Sequence, residues 1–179
     1  MMRKTVPAKC CIIWAFWALS SFAQSRQAAS ATDLLFSLRP TTPSFELNTD
    51  ITVEFSLKNT SGHRILATRE ASLHDLIYLD VLDERGKKVG WRGKIVNRGY
   101  PPEFFVILQP GQSTTFRGII STASGSGYQI SKPGTYRIQA EFSLSPKEYF
   151  APVSNGTAIP DRPVKSNWAR FSVKLVAPR

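Results

Sequence analysis

From Thr135 to Phe142 the chain alternates apolar and polar residues without a break. Tyr136, Ile138, Ala140 and Phe142 fall on one side, and Thr135, Arg137, Gln139 and Glu141 on the other. A period of two puts successive side chains on opposite faces of a strand, so this stretch predicts a half-buried β-strand. Pro133-Gly134 precedes it as a turn, because proline fixes φ and glycine accepts positive φ. A tyrosine just after such a turn is expected to bury its ring and to bond its hydroxyl to nearby backbone, as in a tyrosine corner.

The same period recurs along the chain. Leu34, Phe36 and Leu38 alternate, and so do Ile51, Val53, Phe55 and Leu57. Leu76 to Leu82 reads as a more central strand with Ile77, Leu79 and Val81 inward. Asp83-Glu84-Arg85-Gly86 makes a hairpin turn, Lys87 to Arg92 returns as its partner, and Lys94 to Asn97 forms a further short strand. Phe104 to Leu108 and Ser113 to Ile120 follow, the second with Phe116 and Ile120 as core residues. Ser121 to Gly127 is a flexible Ser/Gly loop. The last strand carries Ala169, Phe171, Val173 and Leu175. Residues 63–72 are the one place for a short helix. Residues 143–166 form a long excursion with Pro146, Pro152, Pro160 and Pro163, of the kind that is usually functional or disordered. Short strands separated by turn signals, with no helical period, predict an all-β fold: an immunoglobulin-like two-sheet antiparallel sandwich of about seven to nine strands.

The N-terminus follows a different logic. Arg3, Lys4 and Lys9 lead into an apolar run from Cys10 to Leu19, then Ser21 and Ala23. A basic segment, a short apolar core and a small-x-small site are the parts of a secretory signal peptide. We expect cleavage after Ala23, a disordered lead-in at 24–32 and one domain over 33–179. The apolar run is shorter than the ~20 residues of a spanning helix, so no membrane span is expected after signal removal. The chain is expected to be exported, to the periplasm or beyond. Both cysteines, Cys10 and Cys11, leave with the signal, so the mature domain relies on its hydrophobic core. Loss of three basic residues lowers the net charge from +10 to +7.

Turn chemistry carries a family resemblance. Asn59-Thr60-Ser61-Gly62 ends an early strand, and Val81-x-Asp83-x-x-Gly86-x-x-Val89 forms a hairpin. Leu108-x-Pro110-Gly111 precedes a strand, and Pro133-Gly134-x-Tyr136-x-Ile138 begins another. This order resembles bacterial immunoglobulin-like sandwiches, most of all the bacterial intracellular proteinase inhibitor family, over roughly residues 45–142. The resemblance implies the fold and a partner-binding role. It carries over no site residue.

The search for chemistry is short. His63 and His74 are the only histidines, and the mature chain has no cysteine, so a zinc site is not expected. His74 and Asp75 are sequence neighbours and would point apart on a strand, so they do not form part of a triad. Asp80, Asp83 and Glu84 lack the spacing of a calcium loop. We therefore expect no enzyme, no cofactor and no metal. One stretch has distinct character. Arg85, Lys87, Lys88, Arg92, Lys94 and Arg98 lie with Trp91 and Tyr100 in a run without acidic residues. Arg85, Lys88, Trp91, Arg92, Lys94, Arg98 and Tyr100 are the candidate binding residues. Such a ribbon suits a polyanion, either polysaccharide or lipid headgroups. It equally suits an edge hairpin whose charges block sheet-to-sheet pairing. The expected partner is a protein or cell-surface group held through loops, with the polyanion and a proteinase inhibitor-like role as alternatives. No nucleic-acid partner is expected.

Overall fold

Strict alternation becomes a pleat with one dry face. The computed structural model describes residues 33–70, 76–93, 101–122, 127–145, 150–154 and 157–176. Over Gly134–Phe142 (β10) the inward set Tyr136, Ile138, Ala140 and Phe142 is buried, while Arg137, Gln139 and Glu141 are only partly covered. Strand β10 is the centre of its sheet. Along one edge it pairs with Ile77–Leu82 (β5). Along the other it pairs with Ala169–Lys174 (β12) and then Val164–Lys165 (β11). Arg137 faces Leu82 on one side and Arg170 on the other, which places β5 and β12 on opposite edges. Ser44–Glu46 (β2) closes the sheet in parallel with β12.

The second sheet is antiparallel, in the order Leu34–Pro40 (β1), Ile51–Asn59 (β3), Ser113–Ile120 (β8). The two sheets form an immunoglobulin-like sandwich, and their inward faces meet through aromatic rings. Phe55 stacks between Phe36 at 5.9 Å and Phe116 at 5.5 Å. Phe36 meets Phe142 of the other sheet edge to face at 6.2 Å. Buried aromatics contribute about 2–3 kcal/mol each by burial, with a further increment from ring geometry. Phe36, Phe55 and Phe116 thus form a row within one sheet, and Phe36 carries the ring contact to the other.

Two short pairs complete the described strands. Ile65–Thr68 (β4) pairs with Phe105–Leu108 (β7), and Trp91–Arg92 (β6) pairs with Gly127–Tyr128 (β9). Strand β4 lies where a short helix was expected. All four of its residues are buried, so it shows no alternation. It is covered on its second edge by residues 157–158, where Leu66 N–H donates to the Ala158 carbonyl at 2.9 Å. The excursion after β10 also contributes to the core. Leu144, Phe150 and Val164 are buried, and Phe150 meets Phe105 at 5.5 Å. Ser166 continues the β10 ladder with its own side chain, its Oγ accepting the Ala140 N–H at 2.9 Å.

The tyrosine corner is present. Tyr136 is buried, and its hydroxyl donates to the Lys132 carbonyl at 2.7 Å. Burial, then the charges of Asp83 and Glu84, push its phenol above the ordinary tyrosine range. Among the described residues no helix is long and apolar enough to cross a membrane.

Candidate functional site

The site begins at a turn. Asp83 folds the chain back by accepting the N–H groups of Arg85 at 3.0 Å and Lys87 at 2.8 Å on one carboxylate oxygen. Gly86 takes φ 79°, a left-handed value that a side chain resists. The returning chain stays on the edge of β5 only briefly. Lys88 bridges to Leu82, and Val89 N–H donates to the Val81 carbonyl at 2.8 Å. Beyond that point the chain changes partner. Gly90 accepts from Gln129 N–H at 2.8 Å, and Trp91 pairs with Tyr128 of β9.

Where the ribbon leaves β5, a cleft of about 460 Å³ opens beside the outer face of the sheet. Its floor comes from the outward residues of two paired strands. Tyr78 lies opposite Glu141, and Asp80 lies opposite Gln139. Ile77, Leu79 and Val81 turn inward, so Tyr78 stands out at 48% exposure. The ribbon from Lys88 to Trp91 forms the wall. Charges in the cleft come as pairs. The Lys88 ammonium contacts the Asp80 carboxylate, and Lys165 Nζ lies 3.8 Å from Glu141. Gln139 donates its amide to the Ser166 carbonyl at 2.8 Å.

Two contacts hold the wall and floor in place. The buried Tyr128 hydroxyl donates to the Leu79 carbonyl at 2.8 Å, which occupies the outer edge of β5 with a side chain. Burial pushes the Tyr128 phenol far above its ordinary range, and the nearby Asp80 charge adds to this. The Trp91 ring folds back over Gly93, where a β-carbon would stand 2.4 Å from the ring. Residues two apart share a face of an extended chain, so only glycine at 93 leaves room for this ring.

Of the residues singled out by sequence, the structure brings Lys88 and Trp91 together in the cleft. Arg85 sits at the turn tip and Arg92 on β6, both exposed and neither lining the cleft. Lys94, Arg98 and Tyr100 lie outside the described residues. The ribbon is not one continuous strand, since Lys88 pairs with β5 and Trp91 with β9. Tyr78, Asp80, Gln139 and Glu141 were legible as outward residues, but nothing local announced that they face one another. Lys165 was hidden in the excursion.

No protein-family model matches the chain, and no curated protein matches it. Among solved structures, a β-glucosidase from Erythrobacter marinus aligns at 13% identity and TM-score 0.41, over 79% of this chain and 15% of that one. The Pseudomonas fluorescens alkylpurine DNA glycosylase bound to DNA with an abasic-site analogue aligns at 12% identity and TM-score 0.41, over 79% of this chain and 30% of that one. A CARDB domain from Pyrococcus furiosus, in complex with di-metal ions, aligns at 15% identity and TM-score 0.40, over 80% of this chain and 94% of that one. This chain thus spans well under two thirds of the first two proteins. None of these likenesses lends it a site, a ligand or an activity.

Proposed function

We propose that the chain is an exported, non-enzymatic binding module that engages a protein or cell-surface partner at the cleft between the 88–91 ribbon and the β5–β10 floor. The observation that carries this reading is the cleft itself. It sets two aromatic side chains, Tyr78 and Trp91, beside two ion pairs and an amide on the outer face of a rigid sheet. Recognition sites are typically concave, with apolar surface and a few placed polar groups. Both carboxylates already have ammonium partners, an arrangement suited to holding a ligand. The N-terminal pattern supports export. The proteinase-inhibitor resemblance supplies no residue to the cleft.

Site-specific photo-crosslinking tests this. A photoreactive side chain at Gly90 has open space around it, and one at Thr115 of β8 is an exposed control on the other sheet. Crosslinks to a component of the exported fraction from position 90, with none from 115, are expected. Equal labelling from both positions would refute the cleft as the contact surface.

A further inference from the structure

Resting on that binding reading, we infer that the cleft takes an uncharged, hydroxyl-rich ligand, a stretch of neutral oligosaccharide. Three observations converge on this class. The first is charge. Lys88 is set against Asp80 and Lys165 against Glu141, so the cleft carries two positive and two negative groups and no surplus of either. A polyanion would have to displace both carboxylates from their ammonium partners or bind beside them, at a cost in like-charge repulsion. A neutral ligand meets no such penalty.

The second is the pattern of donors and acceptors. From wall across floor to β11 they interleave: the Lys88 ammonium, the Asp80 carboxylate, the Gln139 amide, the Glu141 carboxylate and the Lys165 ammonium. A sugar hydroxyl both donates and accepts, so it can bridge a carboxylate and its neighbouring ammonium without leaving either unpaired. Tyr78, half exposed, and Trp91 supply ring surface against which the apolar face of a pyranose can pack.

The third is the state of the backbone. An extended peptide binds a sheet by adding a strand to a free edge. Here the outer edge of β5 is already engaged at two points. The Leu79 carbonyl accepts from Tyr128, and the Val81 carbonyl accepts from Val89 N–H. A ligand in the cleft is therefore read by side chains rather than by main-chain pairing, which favours a sugar over a peptide strand. The volume of about 460 Å³ lies within the range of small-molecule sites.

Calorimetric titration of the exported chain decides the matter. The probes are neutral hexasaccharides (β-linked glucose, β-linked N-acetylglucosamine and α-linked glucose), with a heparin hexasaccharide as the charged control. We expect saturable binding of at least one neutral probe, with affinity that changes less than about twofold between roughly 0.15 M and 0.5 M salt. Tyr78→Ala should weaken it by roughly tenfold, and Gln139→Ala by a smaller factor. Both positions face outward, so retained thermal unfolding separates lost binding from lost fold. Gly93→Ala, which displaces the Trp91 ring without touching the floor, should weaken it as well. No binding of any neutral probe by folded protein overturns the sugar assignment. So does heparin binding that salt abolishes, or neutral-sugar binding indifferent to Tyr78→Ala. If position 90 still crosslinks to a protein while no sugar binds, the module reading stands and the sugar reading falls. If neither occurs, both fall.

Discussion

The two sheets turn different faces to solvent although both obey the same alternation. The outer face of β1, β3 and β8 is built of short rows. Ser37, Ser56 and Thr115 lie side by side in register, and the next row sets Glu54 between Arg39 and Arg117. Hydroxyls and a flanked carboxylate make the middle of that face level, with Leu35 and Ile119 exposed toward its two ends. The outer face of β5 and β10 carries Tyr78, Asp80, Gln139 and Glu141 beneath a wall that rises where the ribbon changes partner. The difference lies in continuity of pairing. On the first sheet each described strand runs its full length beside a neighbour. On the second, the chain after Val89 abandons β5, and the space it leaves is the cleft. Alternation makes a surface; a break in pairing gives that surface depth.

This contrast can be broken most strongly at Tyr128, which ties the departing ribbon to β5. Tyr128→Phe leaves the buried Leu79 carbonyl without its donor and should lower unfolding free energy by about 1–3 kcal/mol in chemical denaturation. The paired change Tyr136→Phe should cost less, about 1 kcal/mol, because Lys132 is exposed and water can replace the lost donor. Both phenols are held above their unfolded value, so the neutral form favours the fold. That stability is complete below about pH 10 and should be lost as pH rises further, with a shallower decline in Tyr128→Phe. An alkaline titration of unfolding reports this.

Next in size is the effect on recognition. Tyr78→Ala should weaken partner binding roughly tenfold, equivalent to about 1.4 kcal/mol, while Thr115→Ala on the level face leaves it unchanged. Titration of both variants against the same ligand sharpens the comparison. Gly93→Ala should follow with a loss of a few fold, about 0.5–1 kcal/mol, visible also as a shift in tryptophan emission as the Trp91 ring is pushed aside. Smallest of all is Arg39→Ala. The Arg39 and Glu54 groups meet at 2.6 Å, but the arginine is 75% exposed, so about 0.5 kcal/mol or less should be lost, and less still at high salt.

Much of the sandwich was legible because its strands are half buried. The runs at 34–38, 51–57, 77–81 and 136–142 each state their inward face, and the tyrosine corner follows from one turn and one ring. Strand β4 was illegible for the opposite reason. A strand covered on both faces has no period, and Ile65-Leu66-Ala67-Thr68 offers none. The prolines of the excursion speak for local stiffness and say nothing about whether Phe150 finds a partner such as Phe105. At the site, the ribbon's composition pointed to Lys88 and Trp91. The residues facing them depend on register between strands about sixty positions apart, which no local pattern encodes.

The parallel pairing of β2 with β12 has a consequence in time. Ser44 to Glu46 wait for Ser172 to Lys174, and the Leu38 backbone waits for the Asn167 amide, which both accepts from and donates to it across 129 positions of chain. During synthesis β2 therefore has no seat on the second sheet until β12 has emerged. Contacts of such long sequence separation are slow to form, since the intervening loop must close before they reward it. The domain is thus suited to closing late, when β12 arrives to take up β2.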